Sequence, residues 1–172
     1  VSEDLNGAAD REIVREYSAR FTISALNNNE NGVQAAASMT DLAGYEKTAE
    51  TVFYNIDTVA PVVEVTFDRN TPDNGMYYHE SRTATIVITE RNFDARDAVV
   101  TISKNGVEPR PVSVSWASSG DGDSTRNVGT VIFDEDGEYV LRVSVQDKAG
   151  NEGNTVETDA FTIDRTVPEV NV

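Results

Sequence analysis

The chain has no cysteine and a single histidine, His79. The absence of cysteine excludes disulfides, thiolate zinc sites, iron–sulfur clusters and cysteine nucleophiles. A single histidine excludes a multi-histidine metal centre and leaves a Ser-His-Asp triad only one candidate base. His79 follows two tyrosines in a polar stretch, so a surface position is its simplest interpretation. No glycine-rich phosphate loop or marked pair of carboxylates is visible, and we therefore predict that the chain is not an enzyme.

Positive charge is also scarce. The 172 residues include 14 Lys and Arg against 30 Asp and Glu, for a net charge of −16. Phosphate binding needs a clustered positive surface, so no nucleic-acid partner is expected. No apolar run approaches the ~18–20 residues of a membrane span, and no membrane insertion is expected. Residues 1–59 carry 4 basic and 10 acidic residues and residues 60–172 carry 10 and 20, so the charge is spread as on a solvated surface.

Two parts of the chain repeat each other. Residues 40–45 match residues 146–151 at an offset of 106, and residues 54–61 match residues 161–168 at an offset of 107. This period predicts that residues 1–59 hold the C-terminal part of one repeat and that residues 60–167 form a complete one. Residues 168–172 are then the start of a following repeat, and the chain is expected to be an excerpt from a longer array.

Short alternating segments separated by turn signals predict seven strands in the complete repeat. They are residues 62–67, 82–89, 98–103, 112–116, 127–133, 139–145 and 155–164. Residues 90–97 are expected to form a crossover with one helical turn. In the first repeat, the segments that align with the last three strands are residues 20–26, 33–39 and 48–56. Helical periodicity is not sustained, so the predicted fold is an all-β sandwich.

The motifs of this repeat point to a family. The runs at 147–151 (Asp-Lys-Ala-Gly-Asn) and 161–168 resemble the last hairpin of bacterial Ig-like domains, and the run at 134–139 resembles the start of their sixth strand. Such domains occur in large cell-surface proteins, especially of Gram-positive bacteria. The resemblance implies an immunoglobulin-like, Greek-key β-sandwich in tandem repeats, located outside the cell at the bacterial surface or secreted. It also implies a spacing or adhesion role, with the neighbouring Ig-like repeats of the same chain as partners.

Four residues are expected to stabilise this sandwich. Tyr139 is placed to form a tyrosine corner, in which the ring hydroxyl bonds a nearby backbone group, and Gly137 permits the tight turn before it. Gly150 is expected to adopt a positive φ in its hairpin loop. Trp116 alternates with two valines, which predicts packing in the core or at its edge.

Oxygen donors near the repeat junctions suggest calcium as a possible ligand. The candidates are Asp57, Asp147, Asn151 and Asp164. Calcium takes about six to eight oxygen ligands, and the spacing of these residues is too sparse for an EF-hand. We therefore expect no cofactor and interpret Asp147 as a loop cap that accepts backbone N–H bonds. If a calcium ion does bind, the junctions between repeats are the place where loop acids meet.

A binding role is the alternative to a spacer. Tyr77 and Tyr78, together with Phe93 and Trp116, could form a platform on which a sugar ring stacks. The chain would then be a carbohydrate- or host-protein-binding module, or an accessory domain of a secreted hydrolase. An exposed aromatic row on one sheet would favour sugar binding, whereas buried aromatic rings would favour the spacer.

Overall fold

A computed structural model describes residues 18, 20, 22, 32–50 and 53–170 of the chain. Regular structure in these residues is almost entirely β-strand, which confirms the predicted all-β sandwich. The exception in the described part of the chain is a short 3-10 helix, Gly122–Ser124. No helix among these residues is long and apolar enough to cross a membrane.

The strands form a hairpin followed by a two-sheet sandwich. The hairpin consists of β1 (Ala36–Thr40) and β2 (Glu46–Glu50). One sheet of the sandwich has the antiparallel order β3 (Val62–Phe67), β5 (Arg82–Thr89), β9 (Arg126–Phe133), β8 (Ala117–Ser119). The other has the order β4 (Tyr77–Tyr78), β12 (Phe161–Ile163), β10 (Gly137–Val145), β6 (Ala98–Lys104), β7 (Arg110–Pro111), and β11 (Val156–Glu157) also pairs with β10. In this second sheet β4 and β12 are parallel, and the other pairs are antiparallel.

Strand β5 shows how the pleat builds the core. Its even-numbered side chains point between the sheets, and the predicted inward residues Ala84, Ile86 and Ile88 are each 0 % exposed. The strand pairs with β3 along one edge and with β9 along the other. Because successive side chains point to opposite faces, a slip of one residue would turn this buried set to solvent. The register of the first sheet is therefore strongly specified.

Aromatic rings close the core at the end that contains the turns at 104–106 and 134–137, called the far end below. The rings of Phe133 and Phe161 meet edge to face, with centroids 5.0 Å apart. Tyr139 is 6 % exposed, and its hydroxyl donates to the carbonyl of Glu135 at 2.9 Å, as a tyrosine corner requires. Gly137 has φ 152°, and a Cβ there would lie 2.7 Å from the Lys104 side chain. The turn thus needs glycine at this position.

Some connections differ from the sequence prediction. Residues 112–116 are not a strand, because the chain crosses there from β7 in one sheet to β8 in the other, although the side chains still alternate in burial. Residues 90–97 contain turns but no helix. The last predicted strand is divided into β11 and β12 by residues 158–160. The strand predicted at residues 20–26 lies almost wholly outside the described residues.

Removing the Tyr139 hydroxyl should destabilise the sandwich. We expect Tyr139→Phe to lower the free energy of unfolding by about 1–2 kcal/mol, because a hydrogen bond to a backbone carbonyl is lost. Tyr77→Phe is the matched control, since Tyr77 is 49 % exposed, and it should change the free energy by less than about 0.5 kcal/mol. Urea unfolding followed by the fluorescence of Trp116 measures both. Equal effects of the two substitutions would contradict the tyrosine corner.

Candidate functional site

Three loops of the sandwich gather around Asp57 at the end opposite the far end, called the junction end below. The loop after β5 meets the segment before β9, where the N–H of Glu90 donates to the Thr125 carbonyl at 2.9 Å. The loop after β10 reaches the same place, because the side-chain amide of Asn151 donates to the Asp57 carbonyl at 3.2 Å. Residues of the sandwich thus hold a residue of the first repeat.

The segment at 57–61, called the linker below, is held at its start by side-chain and main-chain bonds. The Asp57 side chain is 4 % exposed. Its Oδ2 accepts a hydrogen bond from the side-chain amide of Asn92, and its Oδ1 accepts one from the Val59 N–H at 3.0 Å. Arg91 reaches past it and donates from Nη2 to the Ile56 carbonyl at 3.2 Å. The linker is therefore docked on the sandwich.

A second set of contacts holds the end of the linker. Pro61 is fully buried. The Asn154 side chain accepts from the Val63 N–H at 2.7 Å and donates to the Val63 carbonyl at 2.9 Å, so it acts as an extra backbone partner for the start of β3. A Cβ on Gly153 would lie 2.7 Å from the Pro61 carbonyl oxygen, so this close approach requires glycine.

A cluster of three carboxylates lies under the linker. One oxygen from each of Asp57, Glu90 and Asp147 lies within 4.8 Å of the others. Glu90 is 3 % and Asp147 is 4 % exposed. The one nearby cation in the described contacts is Arg91, whose Nε is 3.5 Å from Asp57 Oδ2. Burial raises the pKa of Glu90; the Asn92 N–H opposes this rise, and the charges of Asp57 and Asp147 add to it. The cluster, called the junction carboxylates below, therefore holds an excess of negative charge.

Asp147 caps its own loop, in keeping with the interpretation from the sequence. Its Oδ1 accepts from the N–H of Ala149 at 2.8 Å and of Asn151 at 2.9 Å, while its Oδ2 accepts from the Asn151 side-chain amide at 2.7 Å. Gly150 adopts φ 90° between them. The Asn151 side chain is thus a hydrogen-bond donor that fixes the orientation of the Asp147 carboxylate.

The first repeat contains the same cap. Asp41 Oδ1 accepts from the N–H of Ala43 at 2.8 Å and of Tyr45 at 2.9 Å, at the positions that correspond to the Asp147 loop. Tyr45 occupies the position that corresponds to Asn151, and its side chain has no amide that could donate to the second carboxylate oxygen. The two loops therefore share their backbone design and differ in how the carboxylate is braced.

The chemistry of the junction carboxylates suits a hard cation. Calcium prefers carboxylate oxygens at about 2.3–2.6 Å, so oxygens on opposite sides of the ion lie about 5 Å apart. The three oxygens lie within 4.8 Å of one another, which is close enough for one ion to contact all of them. Asp57, Glu90 and Asp147 could hold such an ion, with water completing its shell.

The other calcium candidate and the histidine lie elsewhere. Asp164 is at the far end, where its Oδ1 accepts from the Thr166 N–H at 3.2 Å. The structure thus brings Asp57, Asp147 and Asn151 together but not Asp164. His79 is a surface residue with a 65 % exposed side chain, and its Nδ1 lies 2.8 Å from an Asp73 carboxylate oxygen. This pair stabilises a turn of the far end.

The aromatic residues do not form one exposed row. Tyr77 is 49 % exposed and Tyr78 is 4 % exposed, because adjacent residues of β4 point to opposite sides. Trp116 is half-buried and meets Phe93 edge to face at 5.2 Å. The absence of a side chain at Gly129 makes room for it, since a Cβ there would lie 3.0 Å from the indole ring. The rings that were candidates for a sugar platform are therefore divided between surface and core.

Glu90 was not among the residues predicted from the sequence. A signal for it existed, because the inward side chains of β5 are even-numbered and position 90 continues that register one step beyond the strand. An acid at an inward position next to a loop is rarely left alone, since burying a carboxylate is costly unless it is paired. The register of the strand would have placed Glu90 beside the loop acids.

Comparison of the chain with known protein families found no matching family model, and comparison with curated proteins found no match. The resemblance to bacterial Ig-like repeats therefore depends on the motifs alone. The function has to be argued from the geometry of the junction end.

Calcium should stabilise this protein through Glu90. We expect a higher melting temperature in calcium than in EDTA, because a bound ion offsets the repulsion among the junction carboxylates. Glu90→Gln should act in opposite directions in the two conditions. In EDTA at neutral pH it raises the melting temperature, because it removes a buried carboxylate beside Asp57 and Asp147. In calcium it shrinks the calcium-dependent gain, because it removes a ligand.

The pH dependence of the Glu90→Gln effect follows from the raised pKa of Glu90. The folded state favours the protonated form, so the destabilisation is absent below the ordinary pKa of 4.5 and grows as pH rises through the higher folded value. The rise in melting temperature that Glu90→Gln causes in EDTA should therefore vanish in acid. Glu64→Gln is the control, since Glu64 is an exposed residue of β3. Equal wild-type midpoints in calcium and EDTA would contradict calcium binding.

Proposed function

We propose that this chain is a non-enzymatic, Ig-like spacer and adhesion segment of a large bacterial cell-surface or secreted protein. The observation that carries the proposal is the docking of the linker on the junction end. The Asp57 side chain is almost fully buried there, and Pro61 is fully buried. A linker held at both ends by the following sandwich suits a chain of rigid units better than a flexible tether.

The strand order supports the Ig-like part of the proposal. An Ig constant-type sandwich has strands A, B, E and D in one sheet and C, F and G in the other. The spatial order β3, β5, β9, β8 matches the first set, and β6, β10 and β12 match the second. The tyrosine corner of that fold lies near the start of strand F. Tyr139 occupies this place in β10.

The repeat supports the tandem part. Asp164 corresponds to Asp57, and both side chains accept a hydrogen bond from the N–H two residues later, at 3.2 Å and 3.0 Å. The segment after Asp164 is open to solvent, with Val167 80 % and Val170 84 % exposed. A following repeat with its own junction end would cover such a segment. The partners of each unit are then its neighbours in the same chain.

Composition fits the same role. Proline fixes φ, so a buried proline in a short linker limits bending at the joint. A net charge of −16 keeps neighbouring units soluble and mutually repelling. These properties favour an extended array outside the cell.

The test is whether the linker is rigid. Because the chain has no cysteine, spin labels on Thr58→Cys in the linker and Ser113→Cys in the sandwich report one distance; both positions are exposed. We expect a narrow distance distribution in this doubly labelled protein. Asp57→Ala should broaden it, because Asn92 and Arg91 lose the carboxylate that they contact.

Asp164→Ala is the matched control for this measurement. It removes the corresponding carboxylate at the far end, where the side chain bonds the N–H of Thr166, and it should leave the distribution narrow. An equally broad distribution with and without Asp57 would show that the linker is not clamped and would contradict the spacer.

A further inference from the structure

A buried arginine in the core has no acidic partner. Arg82 is 8 % exposed at an inward position of β5, the first in the row that continues with Ala84. No carboxylate of a described residue lies within salt-bridge distance of it. Burial lowers the pKa of Arg82, while Tyr78 and Asp68 act in the opposite direction. Arginine is almost never fully buried unless it is paired, so this position requires an explanation.

Aromatic rings explain part of the burial. The guanidinium carbon lies 3.7 Å from the ring centre of Phe67, 4.4 Å from that of Tyr78 and 4.6 Å from that of Phe161. Such contacts are attractive because the face of an aromatic ring is electronegative. These ring contacts fix the orientation of the guanidinium plane but provide no hydrogen-bond acceptor for its N–H groups.

The hydrogen bonds of Arg82 leave most of its donors unused. Nε donates to the Arg69 carbonyl at 2.7 Å. In the described part of the chain, no acceptor is bonded to the two terminal nitrogens, which carry the remaining four of the five N–H groups of an arginine. The buried atoms without a partner do not include these nitrogens, so they remain open to solvent or to a ligand. These nitrogens form the fork that matches a carboxylate in a bidentate pair.

A cavity lies beside this fork. It has a volume of about 560 Å³ and opens between β3 and the segment 156–161. Phe67, Tyr78, Phe161 and Arg82 line it, and Asn70 and Asp159 also contribute to its wall. Small-molecule sites have volumes of about 300–1,000 Å³ and combine apolar walls with a few polar groups. The volume of the cavity falls in this range, and its wall combines aromatic rings with polar and charged side chains.

We propose that the cavity binds the carboxylate of a small organic acid, with the Arg82 fork as its anchor. The ligand carries a single carboxylate, because Glu157 and Asp159 in the cavity wall would repel a polyanion. It also carries hydrogen-bond donors, hydroxyl or ammonium, that Asp159 and the Asn70 side chain can accept. A sugar acid and an α-amino acid both have this chemistry. The site is independent of the joint described above, since it lies toward the opposite end of β5.

Ligand pairs that differ only at the carboxylate test this site. Glucuronate is compared with glucose, and phenylalanine with phenylalaninamide, by titration into the isotope-labelled chain and observation of its amide resonances. We expect saturable shifts at residues around Arg82 in the millimolar range for at least one acid, and none for its counterpart without a carboxylate. The two pairs distinguish a sugar acid from an amino acid.

Three variants connect the binding to Arg82. Arg82→Met keeps the length of the side chain without its charge and should abolish the shifts. Arg82→Lys keeps a cation but loses the planar fork, and it should weaken binding about tenfold or more. This variant also tests the role of Arg82 if the methionine variant does not fold. Arg69→Gln removes a neighbouring half-buried cation, which pairs with Glu80 and Asp73, and it should leave binding unchanged. Three outcomes would overturn the proposal. They are shifts from neither acid, equal shifts from an acid and its counterpart without a carboxylate, and binding retained in both Arg82 variants.

Discussion

The pleat of β5 is the constraint on which the rest of the structure depends. Alternate residues of this central strand must face the opposite sheet, and the row that does so is apolar in the middle and charged at both ends. Ala84, Ile86 and Ile88 are 0 % exposed, whereas Arg82 and Glu90 mark the two limits of the row. Eight residues of extended chain separate these charges by roughly 27 Å. The strand thus carries a buried cation toward one end of the sandwich and a buried acid toward the other.

The two ends accommodate buried charge in different ways. At the far end, three aromatic faces surround a delocalised cation and leave its terminal nitrogens beside a cavity. At the junction end, amide and guanidinium groups from Asn92, Asn151 and Arg91 contact the carboxylates of Asp57 and Asp147. Replacing buried ionic groups by apolar ones is often neutral or stabilising, so their presence is weak evidence for a purely structural role.

Much of the fold could be predicted because alternation and turn chemistry are local. The strands at 62–67 and 82–89, the positive φ of Gly150 and the environment of Tyr139 all follow from a few neighbouring residues. The segment at 112–116 shows the limit, because alternating burial does not require a hydrogen-bonded neighbour on either side. Tyr77 and Tyr78 show another limit: their proximity in sequence suggested one platform, yet adjacent residues of a strand face opposite ways.

The site was predictable to the extent that the repeat placed it. The repeat pointed to the junctions after Asp57 and Asp164 as the places where loop acids meet. Asp147 and Asn151 do lie beside Asp57, whereas Asp164 lies at the other end of the sandwich and bonds Thr166. Glu90 was missed because it belongs to no motif, and only the register of the preceding strand reveals where it points.

The docked linker also determines how the sandwich would carry tension. The chain enters at the junction end, where Val62 pairs with Thr89, and leaves at the far end, where Ile163 pairs with Gly137. β3 and β12 run in the same direction but belong to different sheets. A force that pulls the two chain ends apart therefore pulls β3 toward the junction end and β12 toward the far end, each along its own length. Their hydrogen bonds to β5 and β10 would be loaded together in shear rather than opened one after another. Tension would therefore be shared by both sheets, with the docked linker at the point where it enters.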